Sequence, residues 1–353
     1  MQAIYGVIFH FIGGFASGSF YIPFKRVKGW AWESYWIVGG IFSWLIVPFL
    51  AAYLTVPHFM AIIRTTDSAV IFWTYIMGLL WGVGGLTFGL SMRYLGMSLG
   101  MSVVLGFCSA FGALVPPLYR DIVGSEGITL TGMVQSRGGL VVLMGVLVCL
   151  IGIFVCGRAG TMKEKELSEE QKQESIKEFD LTRGLTVAII SGILSACFNF
   201  GIETGKSMAD AAVQNGSNPL FQNNVIFVVI LWGGLTTNFI WCMILNARNK
   251  TFGDYTNTKT PILPNILFSA LAGTTWFFQF FFYGMGESKL GNGASSWILH
   301  MAFIILISSM WGIILHEWRG VGKKTFGTII TGIAIIILSV ILVGYGNSIT
   351  PIK

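Results

Sequence analysis

Apolar residues run along this chain in long unbroken blocks, not in alternating or one-faced patterns. No Asp, Glu, Lys or Arg interrupts residues 34–63, 68–92, 94–119, 138–157, 184–202, 211–247, 261–286, 290–316 or 325–352. About 20 apolar residues let a helix cross about 30 Å of hydrocarbon, so blocks of this length predict membrane spans. A further block, Ile4 to Phe24, is followed by Lys25, Arg26 and Lys28; basic residues after the apolar run suit a retained helix, not a cleaved leader. The pattern predicts helices near 5–24, 35–55, 70–91, 96–119, 138–157, 184–203, 223–246, 263–284, 292–315 and 326–346. Met208–Gln222, with Asn215, Gly216, Ser217, Asn218 and Pro219, reads as a loop. Arg158–Arg183, dense in charges of both signs, reads as a solvated linker or a short surface helix.

The two halves repeat in order. Gly6, Gly14, Ser17 and Phe20 match Gly184, Gly192, Ser195 and Phe198; Gly39 and Gly40 match Gly233 and Gly234. Gly78, Trp81, Gly89, Leu95 and Gly96 match Gly273, Trp276, Gly284, Leu290 and Gly291. Five helices per repeat is an odd number, so the second repeat must insert upside down, the arrangement behind many alternating-access transporters. The expected fold is an all-α polytopic membrane protein of about ten transmembrane helices in two inverted five-helix repeats. Its parts are residues 1–157 as the first repeat, 158–183 as a charged cytoplasmic linker, and 184–353 as the second repeat.

Composition sharpens the class. The chain is 54% hydrophobic and 11% charged, against about 25% charged in soluble domains. Its mean hydropathy is +0.72. The net charge of +6 does not argue for nucleic acid, because the basic residues collect in short loops between spans, where they set orientation. With the loop after the first helix inside, 16 Lys and Arg face the cytoplasm and 6 face the other side, which places both termini outside. The five cysteines lie inside apolar spans without CxxC pairs and read as small core residues.

Motifs of soluble enzymes are absent. The glycines Gly78, Gly82, Gly85 and Gly89 follow no strand and read as small-residue helix contacts. His316-Glu317 lacks the second histidine of a zinc-binding helix. No catalytic residues, metal or cofactor are expected. Polar residues inside spans are costly and mark cavities or ion paths. His10, Gly14, Ser17 and Tyr21 share one helical face; Ser191, Ser195, Asn199 and Glu203 share another, with Lys206 one turn on. Thr275, Gln279 and Tyr283 align beside Trp276 and Phe280, and Ser296 and His300 align beside Trp297. Plainer roles compete: serines and threonines bonding their own backbone, Tyr21, Tyr283 and Trp36 as interfacial anchors, Glu203 paired locally with Lys206, and the histidines as packed, hydrogen-bonded residues.

Several runs resemble one known family. Phe20-Tyr21-Ile22-Pro23-Phe24-Lys25, Trp32-Glu33, Gly39-Gly40, Met92 through Ser98, Gln279 through Gly284 and Ser296 through Met301 are similar to the L-rhamnose–proton symporters, and the similarity covers essentially the whole chain. The resemblance implies the drug/metabolite transporter superfamily fold and import of L-rhamnose, or a related 6-deoxyhexose, with a proton across the bacterial inner membrane. The implied partners are the sugar, the proton and the lipid bilayer, with no nucleic acid; the oligomeric state stays open. An exporter of drugs or metabolites and a membrane enzyme acting on lipid-linked sugars are the alternatives. The expected substrate-binding residues are Gln279, Tyr283, Trp276, Trp297, Ser17, Tyr21 and Asn199, and the proton-coupling candidates are His10, His300 and Glu203.

Overall fold

The computed structural model describes residues 2–123, 129–168, 170, 178–290 and 293–349. All regular structure among these residues is helical. Eight helices are long and apolar enough to cross a membrane, and two shorter apolar helices, Leu99–Gly112 and Leu299–Ile314, accompany them. Large apolar side chains such as Phe15, Leu147, Phe154, Trp241 and Leu338 point outward, as a lipid-facing surface requires.

Proline and glycine set the interruptions. Helix α1 (Gln2–Ser19) stops before the short α2 (Tyr21–Phe24), where one unbroken helix over 5–24 is predicted. Pro23 has no N–H to donate to the carbonyl four residues back, at Ser19, so the ladder breaks there. Helix α3 (Trp32–Ile41) runs into a π-helical turn, Phe42–Ile46, and then α4 (Val47–Thr55). Pro48 leaves the Trp44 carbonyl without its usual donor, which accounts for the widened turn. After α5 (Phe59–Thr65), helix α6 (Ser68–Val123) doubles back on itself, breaking at Gly96. Gly96 has φ +80° and ψ 177°, a conformation open essentially to glycine alone.

The rest is helix on helix. Helix α7 (Leu130–Gln135) precedes α8 (Arg137–Glu166), which runs well past residue 157 into the segment read from sequence as a linker. That extension is amphipathic: Lys163 turns inward, where its Nζ donates to the Glu317 carbonyl at 2.6 Å and faces the Phe179 and Trp318 rings. At its tip Glu166 accepts from the Thr325 hydroxyl and the Gly322 N–H, which hold its carboxyl below the usual carboxylate range. Helices α9 (Leu181–Ser195), α10 (Cys197–Thr204) and α11 (Lys206–Gln214) follow. Helix α11 corrects the first part of the expected loop over Met208–Gln222, and residues 215–222 form turns and a short 3-10 segment. Met208, Ala209 and Ala212 fall on one buried stripe, and that burial outweighs the polar composition.

Four long helices complete the fold: α12 (Asn224–Asn249), α13 (Ile262–Leu290), α14 (Gly293–Ile314) and α15 (Lys323–Ile349). Helices α8 and α15 pack along each other, and α3, α6, α12 and α13 form the centre. Several buried polar side chains there are paired. Trp36 Nε1 donates to Asn238 Oδ1 at 2.9 Å, and Asn238 Nδ2 donates to the Gly234 and Gly82 carbonyls. The buried Glu33 accepts from Asn249 Nδ2 and Thr251 Oγ1, each at 2.9 Å.

Candidate functional site

A cavity lies at the centre of the bundle, with about 80 Å³ open to the centre of a water-sized sphere. Its walls are mostly indole and phenyl rings, among them Trp36, Trp44, Trp81, Trp276, Phe280 and Trp297. Trp81 and Trp276 stand 5.5 Å apart, Trp276 and Phe280 4.9 Å, and Trp44 meets both Trp81 and Trp276 edge-on. Phe280 is held from behind by Phe198, stacked at 4.1 Å. The π-helical turn before Pro48 presents Ser43 and Trp44 to this space, and Gly39, Gly40 and Gly85 leave room for the rings.

Hydrogen-bonding groups interrupt the aromatic wall, and no charged side chain lines it among the described residues. Ser17, Ser43, Ser195 and Gln279 all contribute. Gln279 Nε2, Trp44 Nε1 and Trp297 Nε1 are buried and have no protein partner among the described residues. Buried donors are almost always satisfied, so three such groups around one cavity suit a ligand rich in acceptors.

Beside the cavity lies a second cluster. His10 of α1, Tyr283 of α13 and His300 of α14 are each fully buried. The two imidazole rings are 5.7 Å apart, and each is 5.5 Å from the Tyr283 ring. No ring nitrogen of either histidine, nor the Tyr283 hydroxyl, makes a well-formed hydrogen bond among the described residues, although the His300 ring lies within reach of the His10 backbone. Gly286 makes space for His10: a Cβ at that position would stand 2.6 Å from the ring nitrogen Nε2. Trp297 joins cluster to cavity, edge-on to Tyr283 at 5.8 Å.

Of the residues expected from sequence, Gln279, Trp276, Trp297 and Ser17 line the cavity, while Tyr283, His10 and His300 meet next to it. Asn199 is buried on α10 without lining the space. Tyr21 is half-buried at the start of α2, against Phe20 and Phe24, also away from the lining. Glu203 is exposed, yet near enough to Tyr283 and Glu287 to act on both electrostatically.

Sequence reasoning missed Trp44 and Trp81 as wall residues and weighed Trp36 only as an interfacial anchor. The spacing Trp32, Trp36, Gly40, Trp44 was the available signal, one face advancing four residues at a time. Glu287, which was not among the expected site residues, accepts from Asn223 Nδ2 at 2.7 Å. Gln279, Tyr283 and Glu287 are four apart, so the polar face seen over Thr275–Tyr283 continues one turn further.

A bundle of membrane-spanning helices closed around an aromatic, uncharged, hydrogen-bonding cavity defines a multi-pass membrane protein of the transporter class. Residues 1–349 match the sequence profile of the L-rhamnose-proton symport protein family, and the chain belongs to that family. It is 36% identical over 346 residues to the L-rhamnose-proton symporter of Cronobacter sakazakii, covering 97% of each chain. The symporter of Klebsiella pneumoniae strain 342 is equally similar over the same share of both chains. That of Yersinia pestis strain Pestoides F is 36% identical over 354 residues, covering 97% of this chain and 98% of its own.

Proposed function

We propose that this protein is a secondary importer that carries L-rhamnose, or a related 6-deoxyhexose, with a proton across the bacterial inner membrane. The observation that carries the reading is the cavity: aromatic surfaces for the apolar ring face, uncharged groups for the hydroxyls, and no charge that a neutral sugar would have to desolvate. Gln279, Ser17 and the indole N–H groups of Trp44 and Trp297 address hydroxyls, and Trp276 covers the ring. His10 and His300 carry the coupling proton. An imidazole ring can take up and release a proton at either nitrogen, and Trp297 links the pair to the sugar site. Glu287, with Asn223, Glu203 and Lys206 around it, lies one turn beyond Tyr283 on the same path.

The proposed architecture is ten spanning helices in two inverted repeats, 1–157 and 184–353, joined by a cytoplasmic segment over 158–183. The eight long helices and the two shorter apolar ones make up that number. Helix contacts support the inversion, because sequence-matched positions exchange partners. Gly6 packs on Leu290 and Gly184 on Leu95; Gly273 packs on Gly39 and Gly233 on Gly78. Each contact maps onto its counterpart when the halves are interchanged, as a two-fold relation between the repeats requires; the odd number of helices in each repeat puts that axis in the membrane plane.

Uptake of radiolabelled L-rhamnose by a transporter-null strain expressing the protein tests this function. Time-dependent uptake, competed by unlabelled L-rhamnose, is expected. Absence of uptake, with efflux from preloaded vesicles instead, would favour an exporter.

A further inference from the structure

The outer face of α8 carries a second concavity that sugar passage does not use. A groove of about 680 Å³ lies between α8, the returning part of α6 and α9. Val103 and Ile153 form a buried floor, while Leu150, Phe154 and Ile189 stand exposed along it. At Gly157 the groove is unobstructed: a Cβ there would meet nothing within 4 Å.

One end of this apolar slot is basic. Arg158 and Lys165 line it, with Thr161 and Met162 between them. Seven residues are two helical turns, so the two cations share a face about 10 Å apart along the axis. Both are exposed. The span of α8 closes at Lys163, so this end lies at the headgroup level whichever way the protein is inserted. Lys163 turns inward to the Glu317 carbonyl, and the Glu166 carboxylate is engaged by Gly322 and Thr325. No carboxylate lines the groove among the described residues.

We propose that this groove is a binding site for one anionic phospholipid, its acyl chain along Phe107, Ile153 and Phe154 and its phosphate between Arg158 and Lys165. An acyl chain matches the apolar slot, and a headgroup of net negative charge matches the two cations at its end. A zwitterionic lipid fills the slot but leaves the cations with a net-neutral partner, so charge selectivity resides in Arg158 and Lys165. Basic pockets between membrane helices hold anionic headgroups on this physical basis.

Native mass spectrometry of the purified full chain, offered equimolar phosphatidylglycerol and phosphatidylcholine, tests the site. One retained phosphatidylglycerol per chain is expected. Two basic residues should contribute a preference of roughly thirtyfold, lost in Arg158→Gln/Lys165→Gln. Lys323→Gln/Lys324→Gln, which alters basic residues outside the groove, should keep the preference. Gly157→Leu fills the groove without touching the charges and should also abolish retention. Should the double variant fail to fold, Lys165→Gln alone, at the exposed helix end, should lose roughly fivefold. Equal retention of both lipids by the unaltered protein would overturn the site. So would undiminished retention in the charge variants, and retention in Gly157→Leu would mean a surface charge effect without a groove.

Discussion

Gln279 illustrates what a single side chain does in an aromatic wall. It is 5% exposed, its Nε2 has no protein partner among the described residues, and it sits between Trp276 and Tyr283 on one helical face. Replacing it by Leu keeps the volume and removes the hydrogen bonds. Leaving a buried sugar hydroxyl unpaired costs about 1–3 kcal/mol, so Gln279→Leu should weaken L-rhamnose binding roughly tenfold or more. Quenching of the wall tryptophans on sugar addition reads this directly; an unchanged titration would place Gln279 in packing alone. For the histidines the expected separation is between binding and coupling. His10→Gln and His300→Gln should each abolish gradient-driven accumulation while sugar exchange at equilibrium persists. If both variants still concentrate sugar in a proton-dependent way, Glu287 and Glu203 become the groups to test. At this scale the sequence showed polar residues aligned at four-residue spacing, which singled out Gln279, His10 and His300. It could not show that Tyr21 stays out of the cavity lining, because the helix break before Pro23 interrupts that face.

Among the elements, positions were legible and interruptions were not. Charge-free blocks mark where helices cross, since the cost of burying a charge in hydrocarbon applies at every span. Ends are set by local chemistry that a hydropathy pattern does not carry. Helix α8 continues through Glu166 because Lys163 finds a carbonyl and two rings. Helix α11 forms over residues that look like a loop because three small or flexible apolar side chains find a buried face. Gly96 is the sharpest of these interruptions. With φ +80° it allows α6 to reverse within one residue, and a side chain there would be strained by about 1–3 kcal/mol. Gly96→Ala should therefore lower the detergent-solubilised melting temperature, whereas Gly327→Ala, in open space on α15, should not. Equal melting of the two variants would show that the break tolerates other geometries.

Over the whole molecule, orientation and symmetry connect structure to transport. The six basic residues over 158–183 resist translocation, so a reporter fused after Lys172 should be active only as a cytoplasmic one; alkaline-phosphatase activity at that point would reverse the assigned topology. Repeat matches in sequence rested on glycine-rich helices, where coincidences are easy. The exchanged pairs Gly6–Leu290 and Gly184–Leu95 give them a spatial meaning that sequence alone could not. In the proposed mechanism two interchangeable halves around one cavity rock between two faces, and a proton taken up beside the cavity gives that cycle its direction. A potential of 100 mV supplies about 2.3 kcal/mol per charge moved, equivalent to a roughly fiftyfold gradient of a neutral solute. The most direct measurement is L-rhamnose accumulation in proteoliposomes of the purified protein under an imposed potential of about 100 mV, inside negative, without sodium. The account predicts accumulation approaching fiftyfold that collapses on adding a protonophore. Accumulation that needs sodium, or sugar that only equilibrates across the membrane whatever the gradient, would contradict proton symport.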